Sequence, residues 1–389
     1  MITTKKDLEE VVQKSLLCES VALDTEFVWE KTFYPILGLI QVGYPDGSVD
    51  LIDAVAIKDL TPLGRLLESP KTIKILHDAL QDLVILNRET KGLPKAIFDT
   101  QKAAGFVGFS SSIALSELLK QLLSVYIKKA ETKSDWVARP LSESQINYAE
   151  DDVSNGVALM HELMVRAEAK NRKEWVLSEM SYYEQERHYN LEDPILKPAR
   201  VKRSGALNNV QKTILRSLSA WREVEAMKKN VARKFIISDE VLVSLAKSTP
   251  DSLELLKKKK SLSKRFLSVY AESFWNAIEQ GLKNEIPPLK IEENFSGKDE
   301  GMEARVDLSL AFIKGLALDA KIDPALISNR AQITQFVYGA SQGIESVESH
   351  RLFQDWRKVF CGQKLYDLLT GSGSLQVCKE KKLPIFVSR

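Results

Sequence analysis

Cysteine is scarce: Cys18, Cys361 and Cys378 are the only three in 389 residues, and no CxxC pair occurs. So sparse and odd a set excludes a disulfide framework, argues against a zinc site and fits a reducing cytoplasm. Long apolar runs are missing too. No window approaches the roughly 18 uninterrupted apolar residues of a membrane span, so no membrane partner is expected. The opening stretch MITTKKDLEEVVQKSLLCES has no apolar core of the signal-peptide kind. It reads instead as a short amphipathic helix with Leu8, Val11, Val12 and Leu16 on one side. The GxxxxGK[ST] phosphate loop is also absent, which removes helicase activity.

What is present is 44% apolar and 28% charged, the profile of a soluble globular protein. At roughly 100–200 residues per domain, two or three fused domains are expected, in a monomer. The net charge of +2 hides a strong asymmetry. Residues 1–200 carry 24 basic and 31 acidic groups, residues 201–290 carry 18 and 9, and residues 291–389 carry 13 and 13. An acidic segment of net −7 is thus followed by a compact basic one of net +9. An excess of that density is the electrostatic footprint of a polyanion binder.

Strand signals come early. SVALDTEFV, ILGLIQVGY and SVDLIDA are rich in Val, Ile and Leu, and the turn at Pro45–Gly47 separates the last two. A helix at Leu60–Glu68, a buried strand at Thr72–His77, the helix DALQDLVILNRE and a short strand KAIFD follow. The remainder to about Lys170 is helical, with Ser142 and Gln145 spaced as a capping box. Strands first, then alternation, then helices make an α/β or α+β layer fold. YNLEDPILKPARVKRSGAL reads as a linker, and NEIPPLKIEENFSGKDEG as a second one. Between and beyond them lie helical segments at about 205–285 and 303–371. LSAWREVEAMKKN in the first has a weak echo in FQDWRKVFCGQKL in the second, and SDEVLVSLAKSTP echoes DPALISNRAQITQFV. Two related helical bundles are the expectation.

The chemistry lies in five residues. Asp24 and Glu26 are two apart on a strand, so both face one side of the sheet. Asp82 falls in the first turns of the helix after Thr72–His77, and Tyr148 and Asp152 are four apart on a helix. Four carboxylates and a phenol converging at a sheet edge repel one another unless a cation intervenes. With no His or Cys cluster nearby, the oxygen-preferring ions Mg²⁺ or Mn²⁺ are the natural neutralisers. Two such ions sharing a carboxylate form the device for phosphodiester cleavage. Tyr148, with an ordinary phenol pKa near 10, is a poor base and would position the attacking water.

The stretches LDTEFVWEKTFYPILGLIQV, ILHDALQDLVIL, IFDTQKAAGFVG and DWVARPLSESQINYAEDDV resemble the exonuclease motifs of ribonuclease D, in the tyrosine-containing branch of the DEDD 3′→5′ exonucleases. The resemblance covers about Met1–Lys170, and no motif position is substituted. It implies a ribonuclease H-like α/β domain at 1–190. Asp24, Glu26, Asp82 and Asp152 would be ligands of two divalent metal ions, Asp24 bridging, and Tyr148 would orient the water. LSAWREVEAMKKNVARKFIISDEVLVSLAKSTP is similar to the helicase-and-RNase-D C-terminal (HRDC) module, placing one at 205–285. Residues 303–375 are expected to form a second, divergent all-α HRDC-like bundle. The implied activity is trimming of RNA 3′ ends, tRNA precursors among them, with release of nucleoside 5′-monophosphates. A DNA exonuclease on the same fold and a non-catalytic RNA-binding adaptor are the rivals.

Other residues are given bland roles. Of Glu150, Asp151 and Asp152, only Asp152 has the four-residue spacing from Tyr148, and Asp151, turned about 100° around the helix, is a solvated acid. His77 is a structural hydrogen bonder, and His161, His188 and His350 are ordinary. Trp136 and Arg139 either pack their loop or meet the nucleic acid, with packing preferred, and Trp221 and Trp356 are core aromatics. Tyr34 and Gln41 match the family pattern without a readable role. Arg222, Lys228, Lys229, Arg233 and Lys234 crowd one stretch and are expected to grip phosphates without reading sequence. A chain ended near Ser204 is expected to keep cleavage and to bind RNA more weakly.

Overall fold

The computed structural model describes residues 1–127, 131, 133–190, 193–196, 201–202, 207–283, 285 and 300–388. Most of the second linker lies outside the described residues. The chain forms two compact units. One comprises Met1–Phe27, Leu37–Tyr189 and Lys298–Arg389; the other comprises Val28–Ile36 and Asn190–Gly297.

The first unit is built on a five-stranded sheet in the order β3-β2-β1-β4-β5. Its strands are β1 (Ser20–Val28), β2 (Ile36–Gly43), β3 (Val49–Asp53), β4 (Ile73–Leu76) and β5 (Ile97–Asp99). β2 and β3 pair antiparallel across the expected turn, whereas β1–β4 and β4–β5 are parallel. The acid-bearing strand is therefore the middle one. Around the sheet lie α1 (Lys5–Leu16), α2 (Gly64–Glu68), α3 (Leu80–Thr90), α4 (Thr100–Val107), α5 (Leu115–Leu123), α6 (Glu143–Ser154), α7 (Gly156–Ala169) and α8 (Lys173–Met180). The Ser142–Gln145 capping box is present and starts α6. The helical run beginning there is broken at Asn155, where α7 starts anew. Asp99 caps α4 by accepting from the backbone of Gln101 and Lys102. It also takes the Ala79 N–H at 3.1 Å and the Tyr183 hydroxyl, so one buried carboxylate ties the β4–α3 corner to α4.

The second unit contains α9 (Asn209–Lys229), α10 (Arg233–Ile236), α11 (Asp239–Ser248), α12 (Leu253–Lys257) and α13 (Lys264–Leu282). Its core includes Leu215, Leu218, Leu242, Leu245, Phe274 and Ile278. Trp221 packs edge-on against Phe274 and Tyr270 and donates its indole N–H to Ser273 at 3.2 Å, as a core aromatic. Phe33, from the segment after β1, is buried in this same core. The Ala232 N–H donates to the Lys31 carbonyl at 2.9 Å, and the Tyr34 N–H to the Asn230 side chain at 3.1 Å. The loop that leaves the acid-bearing strand thus folds as part of the helical unit.

Residues 300–388 contain α14 (Glu300–Ala320), α15 (Pro324–Ile327), α16 (Arg330–Gln342), α17 (Asp355–Arg357), a π-turn at Lys358–Gly362 and α18 (Gln363–Leu369). They end in a hairpin of β6 (Gly373–Val377) and β7 (Pro384–Ser388), which the all-α reading did not foresee. The lengths repeat those of the second unit: 21 residues, then 4, then a mid-length helix, in α9–α10–α11 and in α14–α15–α16. In that alignment Trp221 sits in the first helix and Trp356 after the third. The tryptophan echo in the sequence therefore joins non-equivalent positions and is corrected here.

Trp356 is a core aromatic, but of a core shared with the N-terminal part. It stacks on Trp175 at 5.1 Å and meets the edge of Phe106 at 5.1 Å. Arg357 is buried and donates to the carbonyls of Leu326 and Ile327 and to Glu179 at 2.6 Å. Arg351 takes the other oxygen of Glu179 at 2.7 Å. Arg172 donates to the Phe106 carbonyl at 2.6 Å and to that of Ala320. The last ninety residues are one body with the sheet, and a chain ended near residue 204 strips apolar surface from it.

Candidate active site

The site is assembled by close backbone approach. A Cβ on Gly156 would fall 2.5 Å from the Ala22 side chain, and one on Gly43 would fall 2.4 Å from the Val153 carbonyl. Only glycine lets α6 and α7 lie directly on β1 and β2 here. That contact carries Asp152 to the face of β1 from which Asp24 and Glu26 project.

One oxygen from each of Asp24, Glu26 and Asp152 lies within 4.8 Å of the others. Asp82 stands outside this tight group, yet its charge raises both Asp24 and Glu26. The Thr25 hydroxyl donates to Asp82 and anchors it beside the strand. Thr25 carries no motif signal, and its role was not readable from the sequence. The Tyr148 phenol lies beside Asp152, close enough for each group to shift the other's titration. Three acids from β1 and α6 thus come together, with Asp82 of α3 and the Tyr148 phenol beside them.

Burial and repulsion from nearby carboxylates raise the proton affinity of every acid in the cluster. Burial lifts Asp24 well above the carboxylate range, and Asp82, Asp152 and Glu26 add to the effect. Burial, then Asp152 and Asp82, push Glu26 up to about 8. Burial raises Asp152 to about 7, with the Tyr148 hydrogen bond opposing it and the Asp151 charge adding to it. Asp82 rises to about 6, again through burial first, with the Thr25 hydrogen bond opposing. Burial and the same carboxylates push the Tyr148 phenol upward, so it stays protonated. Among the described residues, no Lys or Arg forms an ion pair with any of these acids. The donor set is all oxygen, so the residues fit hard divalent ions.

The neighbours are structural. His77 uses both ring nitrogens, on Thr100 at 2.8 Å and on the Ile113 carbonyl at 2.9 Å. Arg139 grips Asp53 with two bonds of 2.7 Å and the Gly38 carbonyl with a third of 2.7 Å. Trp136 is buried, its ring 6.0 Å from that of Tyr148. Asp151 is half-buried, not free in solvent. Gln41 is fully buried, with neither amide atom hydrogen-bonded among the described residues.

The basic stretch of the second unit needs correction. Arg222 is buried and donates to Asp239 at 2.7 Å, so it cannot reach a phosphate. Arg233 is paired with Glu223, and Lys229 donates to the Tyr270 hydroxyl. Lys228 and Lys234 remain exposed. Charge counting along a sequence cannot see which cations are already matched.

An acid-bearing central strand with a Tyr-x-x-x-Asp helix against it defines a 3′–5′ exonuclease, and residues 1–168 match that domain family. Residues 211–278 match the HRDC domain. The chain is 33% identical to ribonuclease D of Desulfotalea psychrophila over 366 residues, which is 92% of this chain and 96% of that one. It is 31% identical to ribonuclease D of Gluconacetobacter diazotrophicus, over 99% of this chain and 96% of the relative. The crystal structure of Escherichia coli RNase D superposes with a TM-score of 0.80 at 28% identity, covering 95% of this chain and 98% of that one. The chain belongs to the ribonuclease D family. It is a divalent-metal-dependent 3′–5′ exoribonuclease, with a ribonuclease H-like domain followed by a helical HRDC domain.

Proposed function

We propose that Asp24, Glu26, Asp82 and Asp152 hold two divalent ions, Mg²⁺ or Mn²⁺, and that Tyr148 and Asp152 place the attacking water. The observation that carries this is the 4.8 Å grouping of three carboxylates, with no Lys or Arg among the described residues paired to them. When bound, the ions neutralise the cluster, activate the water and stabilise the departing 3′ oxygen. The chain's own part is geometric. The protonated Tyr148 hydroxyl stands beside Asp152 and offers its lone pairs to a water, which it aims. Its raised affinity for the proton bars it from acting as the base. Attack on the terminal phosphodiester releases a nucleoside 5′-monophosphate.

The substrate is RNA with a trimmable 3′ end, tRNA precursors included. The E. coli relative is described as an exoribonuclease involved in structured RNA processing, which supports this reading. Domains at 1–190, 205–285 and 303–375 are retained, the last as a divergent HRDC-like bundle supported by the repeated helix lengths. Three unpaired cysteines and domains fused in one chain support a cytoplasmic monomer. Among the described residues no helix is long and apolar enough to cross a membrane. Asp24→Asn tests the site: release of mononucleotide from a 3′-labelled RNA should vanish in the purified variant while binding persists. Undiminished hydrolysis overturns the assignment.

A further inference from the structure

The HRDC-bearing unit exposes two large aromatic rings that its core does not use. Trp29 is 50% exposed and Phe235 is 58% exposed. Both belong to one local patch. The Trp29 indole N–H donates to the Phe33 carbonyl at 2.9 Å, and the Arg233 guanidinium lies 4.6 Å over the Phe33 ring, two residues before Phe235. The Lys31 carbonyl accepts from Ala232, and the Phe235 N–H donates to the Ala232 carbonyl at 2.8 Å, so the segment after β1 and α10 are stitched together.

The chemistry of the patch is particular. The only donor of Trp29 is spent on Phe33, which fixes the ring and leaves its face for contact. Lys234 sits 5.2 Å over the Phe235 ring, and Lys31 and Lys228 are exposed in the same or adjoining segments. An anchored indole and a second exposed ring beside ammonium groups match the pattern by which single strands are held: bases stack on rings and phosphates meet cations. The net +9 of residues 201–290 favours a polyanion over an apolar protein surface.

We propose that Trp29 and Phe235 form a base-stacking platform for the single-stranded stretch of RNA upstream of the 3′ end being trimmed, with Lys31 and Lys234 as its phosphate contacts. The proposal rests on the exoribonuclease reading and names where that substrate is gripped. Stacking is tolerant of base identity, so the platform gives affinity without sequence preference.

The test uses the full chain carrying Asp24→Asn, so that bound RNA is not consumed. Affinity is measured by fluorescence anisotropy for a labelled oligoribonucleotide of about a dozen nucleotides and for a strand of equal length whose upstream residues are abasic. The parent should prefer the base-bearing strand. Trp29→Ala and Phe235→Ala should each weaken that strand by roughly five- to 150-fold and erase the preference for it. Trp29→Phe should restore much of it. Lys31→Ala should weaken both strands alike and lower the salt slope by about one. In the otherwise wild-type chain, hydrolysis of a dinucleotide should not change in the ring variants. Both rings are exposed, and unchanged melting temperatures confirm an intact fold. Ring variants that bind the base-bearing strand within twofold of the parent overturn the platform while the exonuclease stands. A wild-type chain that neither binds nor cuts RNA removes both readings.

Discussion

Replacing Glu26 by Gln keeps the shape of the acid cluster and removes one of its charges. Burial, followed by Asp152 and Asp82, lifts Glu26 from 4.5 to about 8. A carboxyl held above its unfolded value binds protons more tightly when folded, so stability is greatest at low pH and falls as pH rises between those two values. Integrated, the penalty from Glu26 is about 1 kcal/mol at pH 5.5 and about 4 kcal/mol at pH 8. The difference of about 3 kcal/mol is an upper bound, because Asp24 and Asp152 share the same repulsion and relieve part of it by taking up protons themselves. Denaturant unfolding of metal-free wild type and Glu26→Gln at both pH values reads this out. The advantage of the variant should widen by about 1–3 kcal/mol from pH 5.5 to pH 8. Mg²⁺ should narrow the gap between them. An ion at one hundred times its dissociation constant adds about 2.7 kcal/mol to the wild type, and it should add more at pH 8, where fewer protons compete. A gap between wild type and variant that is the same at both pH values would refute the account of a cluster strained by its own charge.

Four further outcomes follow from the packing. Arg139→Lys keeps the charge but loses the two-pronged grip on Asp53 and the bond to Gly38; it should lower stability by about 1.5–3 kcal/mol, seen as a drop in denaturation midpoint. Asp53 lies below its usual value because Arg139 and the Ala56 and Val55 amides outweigh its burial; the contribution of this pair should be present near neutrality and fade on acidification, and should be missing from the pH profile of Asp53→Asn. Trp356→Ala should cost about 3–5 kcal/mol in unfolding free energy, a loss that a core confined to the C-terminal helices would not transmit to the exonuclease domain. A chain ended near residue 204 should bind a hydrophobic dye and aggregate, because Phe106 and Trp175 lose Trp356 and the helical core loses its hold on Phe33; a monomeric, fully active fragment would contradict the shared core.

The order of strands and helices in the first 170 residues could be read from local pattern, and so could the spacing of the five candidate residues. Periodicity and caps act over two to four positions, and both ends of each interaction lie within one short window. The Ser142–Gln145 box is of this kind, as is the pairing of Tyr148 with Asp152. The basic stretch at 222–234 was legible only as charge. Its arginines had already been matched, one to Asp239 and one to Glu223. The all-α expectation for the last segment missed β6 and β7. Thr25, one residue from two motif acids, was invisible because its partner Asp82 is 57 positions away.

The acids, their spacing and the elements that bear them are local properties, written in neighbouring residues and read without a fold. The company those elements keep is not. Arg139 finds Asp53 across 86 positions and Arg357 finds Glu179 across 178. The loop after β1 joins a helical core begun two hundred residues later, and the C-terminal helices complete the sheet's own core. Long side chains and apolar faces accept many partners, so burial and charge matching in the assembled chain choose among them.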